Sequence, residues 1–260
     1  MSCGRIALDR AGIPVTNYYA SEVDKYATIV SAANYPDIIR LGDVTKWREW
    51  NIDWGSIDLI LAGSPCQGFS FAGKRLAFDD PRSALFFTFV EILEHARLFG
   101  EVSFMLENVN MAARSLDVIS YHLNTTPERI NSAKFSAAMR DRQYWFNWEV
   151  FEPEGEAPDF QSILENGEAR IPKAYALTAT YHKKGAEHTR QRNFSKSQRP
   201  IAWLSDTETR WLTLNECEAL MTVPKDYTNH VSNTQRYKML GNGWTVDVIA
   251  HILRGLKREN

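Results

Sequence analysis

Apolar positions along the first 150 residues follow two alternating rhythms. Helical spacing over Arg5–Ala11 stops at Gly12, an apolar run covers Val15–Ala20, and helical spacing returns over Asp24–Asn34. Next come Ile38–Leu41, a tryptophan-containing segment Trp47–Trp54, the strand-like Ile57–Ala62, a long loop, a helix over Ala84–Phe99, and Ser103–Leu106 running into Glu107. Strands alternating with helices predict an α/β chain with a parallel, doubly wound sheet. Ligands of such sheets gather outside the carboxyl ends of the strands. Glu22, Asp43, Ser64–Gln67 and Glu107–Asn108 each follow an apolar run and fall at such ends.

The rhythm breaks at residue 149. From there to about residue 210 the chain is rich in Pro, Gly and polar residues, with an acidic half (Glu149, Glu152, Glu154, Glu156, Asp159, Glu165, Glu168) followed by a basic one. Helical spacing resumes at Leu214–Met221 and at Trp244–Lys257, the latter just after the turn-forming pair Asn242-Gly243. The expected organisation is a domain over 1–148, a small separate region over 149–210, and a segment over 211–260 that rejoins the first domain.

Composition narrows the classes without choosing among them. With 260 residues, 44% hydrophobic and 24% charged, the chain can bury a full core. Arg5, Asp9 and Arg10 near the start, and no later run approaching the ~20 apolar residues of a membrane span, predict a cytoplasmic protein with no membrane partner. Cys3, Cys66 and Cys217 are too few and scattered for a disulfide framework and lack the paired spacing of a zinc site, so reduced thiols and no metal are expected. A net charge of -2 argues against a protein that coats nucleic acid, but the charge is segregated. Lys183, Lys184, Arg190, Arg192, Lys196 and Arg199 face a single acid, Glu187, between His182 and Pro200. Such a stretch suits phosphates and base edges, although a solvated basic loop has the same composition.

Three short motifs carry chemistry. Gly63-Ser64-Pro65-Cys66-Gln67-Gly68 follows a buried-type strand, which puts Cys66 on a loop at the ligand-binding edge, where a helix terminus or a cation would favour its thiolate. A lone cysteine is more often a small buried hydrophobe, the reading that applies to Cys3 and Cys217. Glu107-Asn108-Val109 ends another strand, where a partly desolvated carboxyl is suited to sharing a proton, although taken alone a solvated strand-end carboxylate is the plainer reading. Arg140 and Arg142, spaced by one residue, would project two guanidinium forks from one face of a strand. A surface ion-pair ladder with Asp141 is the plainer alternative.

In their order along the chain, these motifs resemble those of the C5-cytosine DNA methyltransferases. Pro65-Cys66-Gln67 resembles the family's PCQ motif, Glu107-Asn108-Val109 its ENV motif, Arg140-x-Arg142 its RxR motif and Gly241-Asn242-Gly243 its late GN motif. The wording of Ala20–Val23, Gly42–Val44, Arg82–Phe87 and Ser136–Arg140 is similar to the branch of de novo methyltransferases and their phage and bacterial relatives, so the resemblance covers nearly the whole chain.

The resemblance implies a Rossmann-like methyltransferase sheet with a small target-recognition domain, here residues 149–210, short for the family, its acidic half turned away from DNA. It implies transfer of a methyl group from S-adenosyl-L-methionine to cytosine C5 in double-stranded DNA. Cys66 would be the nucleophile, Glu107 the partner at N3, and Arg142 with Arg140 the donors at O2. Ser2, Cys3, Glu22, Val23, Asp43, Val44, Pro65, Asn242, Gly243 and Trp244 would form the cofactor site. Gln67, Ser70, Lys183, Lys184, Arg190, Arg192 and Lys196 would contact DNA, with the loop Gly68–Arg82 closing over a flipped nucleotide. The family's first cofactor motif is a strand ending in Asp-Gly, whereas this chain begins with Met1-Ser2-Cys3-Gly4-Arg5, inside the turn that follows, so the first strand is expected to be missing. Two alternatives share the pattern: a tRNA cytosine methyltransferase, and a non-catalytic DNA-binding accessory protein on the same fold.

Overall fold

The computed structural model describes residues 1–64, 84–181 and 199–257. The elements in chain order begin with helix α1 (Cys3–Ala11), strand β1 (Tyr19–Ser21), α2 (Lys25–Asn34), β2 (Ile39–Gly42), β3 (Leu59–Gly63) and α3 (Ala84–Arg97). They continue with β4 (Ser103–Val109), α4 (Ala113–Leu123), β5 (Glu128–Asn131), β6 (Ala138–Met139), β7 (Asp141–Phe146) and β8 (Ala174–Tyr175). β9 (Ile201–Trp203), β10 (Thr209–Trp211), α5 (Leu214–Leu220), α6 (Asn233–Asn242) and α7 (Val246–Arg254) complete the set. The described chain forms two compact units, one of Met1–Ile39, Asn131–Arg140 and Val150–Asn260, the other of Arg40–Ile130 and Asp141–Glu149. Packing, not chain order, sets these boundaries, since the first 39 residues group with those after 150.

The smaller unit is built on the strand order β3-β4-β7-β5. β3 and β4 run parallel, with Gly63 beside Glu107, whereas β7 runs antiparallel to β4. The sheet is therefore mixed and not parallel throughout, because β7 enters between β4 and β5 from the opposite direction. α3 presents Phe86, Phe89, Val90, Leu93 and Ala96 at helical spacing, and these pack with Phe104 and Leu106 of β4, Ile119 and Leu123 of α4 and Trp145 of β7. The Trp145 indole donates to Ser120 Oγ at 3.0 Å, fixing α4 to the sheet. The tryptophan-containing segment Trp47–Trp54 runs through the 3₁₀ turns Val44–Glu49 and Trp54–Ser56, each started by an aspartate, Asp43 and Asp53.

In the larger unit α1 packs along α7, whose Val246, Ile249, Ala250 and Leu253 form one buried stripe. Gly12 stops α1 in the left-handed conformation. Asp24 caps α2 through the amides of Tyr26 and Ala27. α5 opens with a capping box between Thr213 and Glu216. Among the described residues, no helix is long and apolar enough to cross a membrane.

Glu216 does more than cap. Fully buried, it accepts from the Glu165 amide at 2.7 Å, the Thr213 amide at 2.8 Å and both terminal nitrogens of Arg210, at 2.6 and 2.8 Å. Burial pushes its carboxyl up, but the Arg210 guanidinium and the two amides outweigh this and hold it below the usual carboxylate range. A lowered folded-state value means the stabilisation is full above the unfolded value, roughly 4.3, and is lost as pH falls through the folded value. Glu216→Gln is expected to cost about 3 kcal/mol at pH 7, and the difference from the parent to shrink below about pH 4. Urea unfolding midpoints of both proteins between pH 7 and 3 check this; a difference independent of pH would remove Glu216 as the titrating group.

Candidate active site

The expected chemistry falls on strand ends of the smaller unit. The parallel register of β3 and β4 puts Gly63 beside Glu107, so Ser64 and the Glu107 carboxyl leave the same edge of the sheet. Pro65, Cys66, Gln67 and Ser70 follow Ser64 directly in sequence and lie outside the described residues, as does the expected closing loop.

Antiparallel pairing sets Glu107 opposite Tyr144 and Val109 opposite Arg142. Alternate residues share a face, so Glu107 and Arg142 are diagonal neighbours on one face. Their side chains meet, with Arg142 Nε 3.1 Å from Glu107 Oε1, and both are largely shielded, at 19% and 12% exposure. Arg142 also donates from Nη1 to the Asp141 carbonyl at 2.8 Å. A carboxylate and a fixed guanidinium, partly withdrawn from water at a parallel-strand edge, form a pair able to bind a planar amide-like edge and stabilise charge developing on it.

The other face of the same strands holds the pair in place. Asn108, 1% exposed, donates from its amide to Ser64 Oγ at 2.7 Å and accepts from the Val109 amide. This fixes the residue two before Cys66. Gln143 donates to Asn110 Oδ1 at 3.1 Å. Asp141 pairs with Arg129 of β5, with Nε 3.0 and 2.9 Å from its two oxygens, and this guanidinium, helped by Asn110, holds the Asp141 carboxyl below its usual range.

The expectation that Arg140 and Arg142 share one strand face is corrected. β7 begins at Asp141, and Arg140 lies in the gap between two ladders and belongs to the other unit, so the alternation rule does not link them. Arg140 is 8% exposed and donates from Nη1 to the carbonyls of Leu177, at 3.2 Å, and Gly241, at 3.3 Å. Asp141 is ion-paired, but with Arg129 of β5 and not in a ladder with Arg140 and Arg142.

The expected cofactor residues divide between the units. In the larger one, Glu22 is exposed just after β1 and its Oε1 accepts from the Asp24 amide at 2.8 Å. Val23 beside it is 75% exposed, an apolar surface next to a carboxylate. Asn242 ends α6 exposed, with Gly243 and Trp244 half-buried after it. Cys3 is buried, and its thiol is pushed up by burial. Ser2 adopts the left-handed conformation and its hydroxyl donates to Ser31 Oγ at 2.7 Å. In the smaller unit, Asp43 accepts from the Thr45 amide and hydroxyl, at 2.9 and 2.8 Å, which hold its carboxyl low. In the larger unit the exposed Glu22 carboxylate with its apolar neighbour Val23 is an acceptor of the kind that ribose hydroxyls need, and in the smaller unit the ionised Asp43 is an acceptor of the kind that an exocyclic amine needs, so each fits part of a nucleoside. Thr245, next to Trp244, is 2% exposed and its hydroxyl has no partner among the described residues.

Lys183, Lys184, Arg190, Arg192 and Lys196 lie outside the described residues. The residues flanking that stretch are firmly held: the Tyr181 hydroxyl donates to the Pro200 carbonyl and accepts from the Leu212 amide, both at 2.8 Å. Sequence reasoning missed the supporting residues Asn110, Arg129 and Gln143. The period-two signal was there, since 141 and 143 alternate with 142, but naming their partners needs the strand order.

The chain is 28% identical over 272 residues to the Type II methyltransferase M.MspI of Moraxella sp, covering 90% of this chain and 63% of that one. It is 27% identical over 279 residues to Type II methyltransferase M1.ScrFI of Lactococcus lactis subsp. cremoris, covering 90% and 70%. A 91-residue stretch is 46% identical to M.NlaIV of Neisseria lactamica, 20% of that protein's length. The chain thus spans less than two thirds of the Moraxella and Neisseria proteins. Among solved structures, the Entamoeba histolytica methyltransferase EhMeth aligns with a TM-score of 0.70 at 14% identity, covering 99% of this chain and 95% of that one. The S. pombe Dnmt2 methyltransferase aligns at 0.68 and 18%, covering 99% and 96%, so the fold is shared. A family model described as C-5 cytosine-specific DNA methylase matches residues 2–132 and 127–258, and the chain belongs to that family.

Proposed function

We propose that the protein transfers a methyl group from S-adenosyl-L-methionine to C5 of cytosine in double-stranded DNA, through a covalent adduct with Cys66. The observation that carries this reading is the Glu107–Arg142 pair at the strand edge where β3 hands the chain to Ser64 and the Cys66 motif.

Cytosine C5 is a poor carbon nucleophile. The Cys66 thiolate forms a bond to C6, and the displaced electron pair moves onto the N3–O2 side of the ring, leaving C5 enamine-like. Glu107 holds a proton at N3, and Arg142 donates to O2 where charge develops. The bound cofactor supplies an electrophilic methyl group. Loss of the C5 proton then drives elimination of Cys66 and restores the aromatic ring. Glu22 takes the ribose hydroxyls, Val23, Asp43 and Val44 the adenine, and Asn242–Trp244 the methionine end.

The target nucleotide must leave the stack, at a cost of a few kcal/mol, for these groups to reach it. The basic stretch around Lys183–Lys196 meets phosphates, and residues 149–210 serve target recognition.

The test is methyl transfer from labelled S-adenosylmethionine to duplex DNA and to tRNA. Label at cytosine C5 of DNA is the expected result. Label on tRNA alone would move the substrate to RNA, and DNA binding with no cofactor affinity would make the chain an accessory protein.

A further inference from the structure

Arg140 and Arg142 invite one role because they are two residues apart, yet their partners differ in kind. Arg142 meets a carboxylate at the strand edge. Arg140 meets main-chain carbonyls of two separate segments. Its own backbone is fixed as well, its carbonyl accepting from the Ser132 amide at 2.9 Å.

The segments that Arg140 joins are packed to the limit. A Cβ on Gly241 would lie 2.2 Å from the Thr178 carbonyl carbon and 2.4 Å from the Ala179 nitrogen, both backbone. Gly241 therefore lets the 177–179 strand of chain lie directly on the end of α6, and Arg140 fastens the carbonyl on each side of that crossing. Immediately after the crossing come Asn242, Gly243 and Trp244. The start of α1 closes on the same turn, for a Cβ on Gly243 would meet Met1 Cε at 2.6 Å and Cys3 Sγ at 3.5 Å. Arg140 also lies near enough to Cys3 for its charge to oppose the effect of burial on that thiol.

We propose that Arg140 is a positioning residue for the cofactor, holding the Asn242-Gly243-Trp244 turn in its binding conformation through the Gly241 and Leu177 carbonyls, and that it does not act on the target base. This rests on the functional reading above. A guanidinium suits the task because Nη1 carries two N–H groups fixed in the plane of the rigid head, so one nitrogen serves acceptors on both segments.

The test compares the full-length parent with Arg140→Ala, Arg140→Lys and Arg142→Lys. Binding of S-adenosylhomocysteine by calorimetry is measured beside kcat at saturating cofactor. For Arg140→Ala a rise in Kd of about tenfold is expected, with a matching rise in cofactor KM, from loss of charge-assisted hydrogen bonds. Its kcat at saturation stays within about twofold of the parent, and Arg140→Lys restores part of the affinity. Arg142→Lys shows the reverse split, with low kcat and unchanged Kd. Amide exchange at Asn242–Val246 quickens in Arg140→Ala only. If Arg140→Ala has no melting transition, Arg140→Lys carries the same comparison. A fall in kcat with unchanged Kd in the Arg140 variants would overturn the proposal. Failure of the parent itself to bind S-adenosylhomocysteine would instead overturn the functional reading, and this inference with it.

Discussion

Cys66→Ala is expected to lower kcat for methyl transfer by about 10⁴-fold or more, leaving the melting temperature near that of the parent. The reason is chemical. With no bond at C6, the ring keeps its aromaticity and C5 offers no electron pair, so perfect placement of the remaining groups opens no second route. Glu107 and Arg142 would stabilise a charge that never develops. The variant should still bind duplex DNA, because its phosphate contacts lie elsewhere. A duplex carrying 5-fluorocytosine makes the step visible: fluorine at C5 does not leave as a proton does, so the parent is trapped as an adduct that survives denaturing electrophoresis. The variant should give no shifted band. A Cys66→Ala protein within about tenfold of the parent rate would remove the nucleophile assignment.

The second large effect belongs to the ion pair. Glu107→Gln keeps the shape and a hydrogen-bonding group but cannot share a proton at N3, and kcat should fall by about 10²–10⁴-fold with cofactor KM unchanged. Arg142→Lys exchanges a planar fork for a point charge and should cost kcat a comparable factor. Because the two side chains touch at 3.1 Å, the double variant should lose less than the product of the single losses. Strict multiplicativity would mean that Glu107 and Arg142 contribute independently, with no energetic coupling through their contact. Single-turnover rates of all four proteins decide, since they exclude product release.

Much of the fold was legible because local rules act locally. α1 with its stop at Gly12, α2 behind Asp24, β3, β4 and α5 fall where hydrophobic spacing and capping residues put them. α4 escaped because Ala112 at its cap contributes no side-chain hydrogen bond, leaving no start signal at Ala113. Spacing assigned no element to the tryptophan-containing segment Trp47–Trp54, where Asp43 and Asp53 capture nearby amides and turn the chain into short 3₁₀ pieces.

By itself the sequence determined the α/β class, the polar residues at the strand ends and, through the order of its motifs, the family. Those are properties of composition and spacing, and they survive without any knowledge of which strand lies beside which. Only the tertiary structure decided the partners. It inserted β7 antiparallel beside β4, which turned Arg142 toward Glu107 and Asp141 toward Arg129. It also ended the strand ladder before Arg140 and gave that guanidinium to Leu177 and Gly241, 37 and 101 residues away. Spacing of two residues fixes a common face only while both lie in one strand, and where a strand begins depends on the hydrogen-bonding neighbours that folding brings to it.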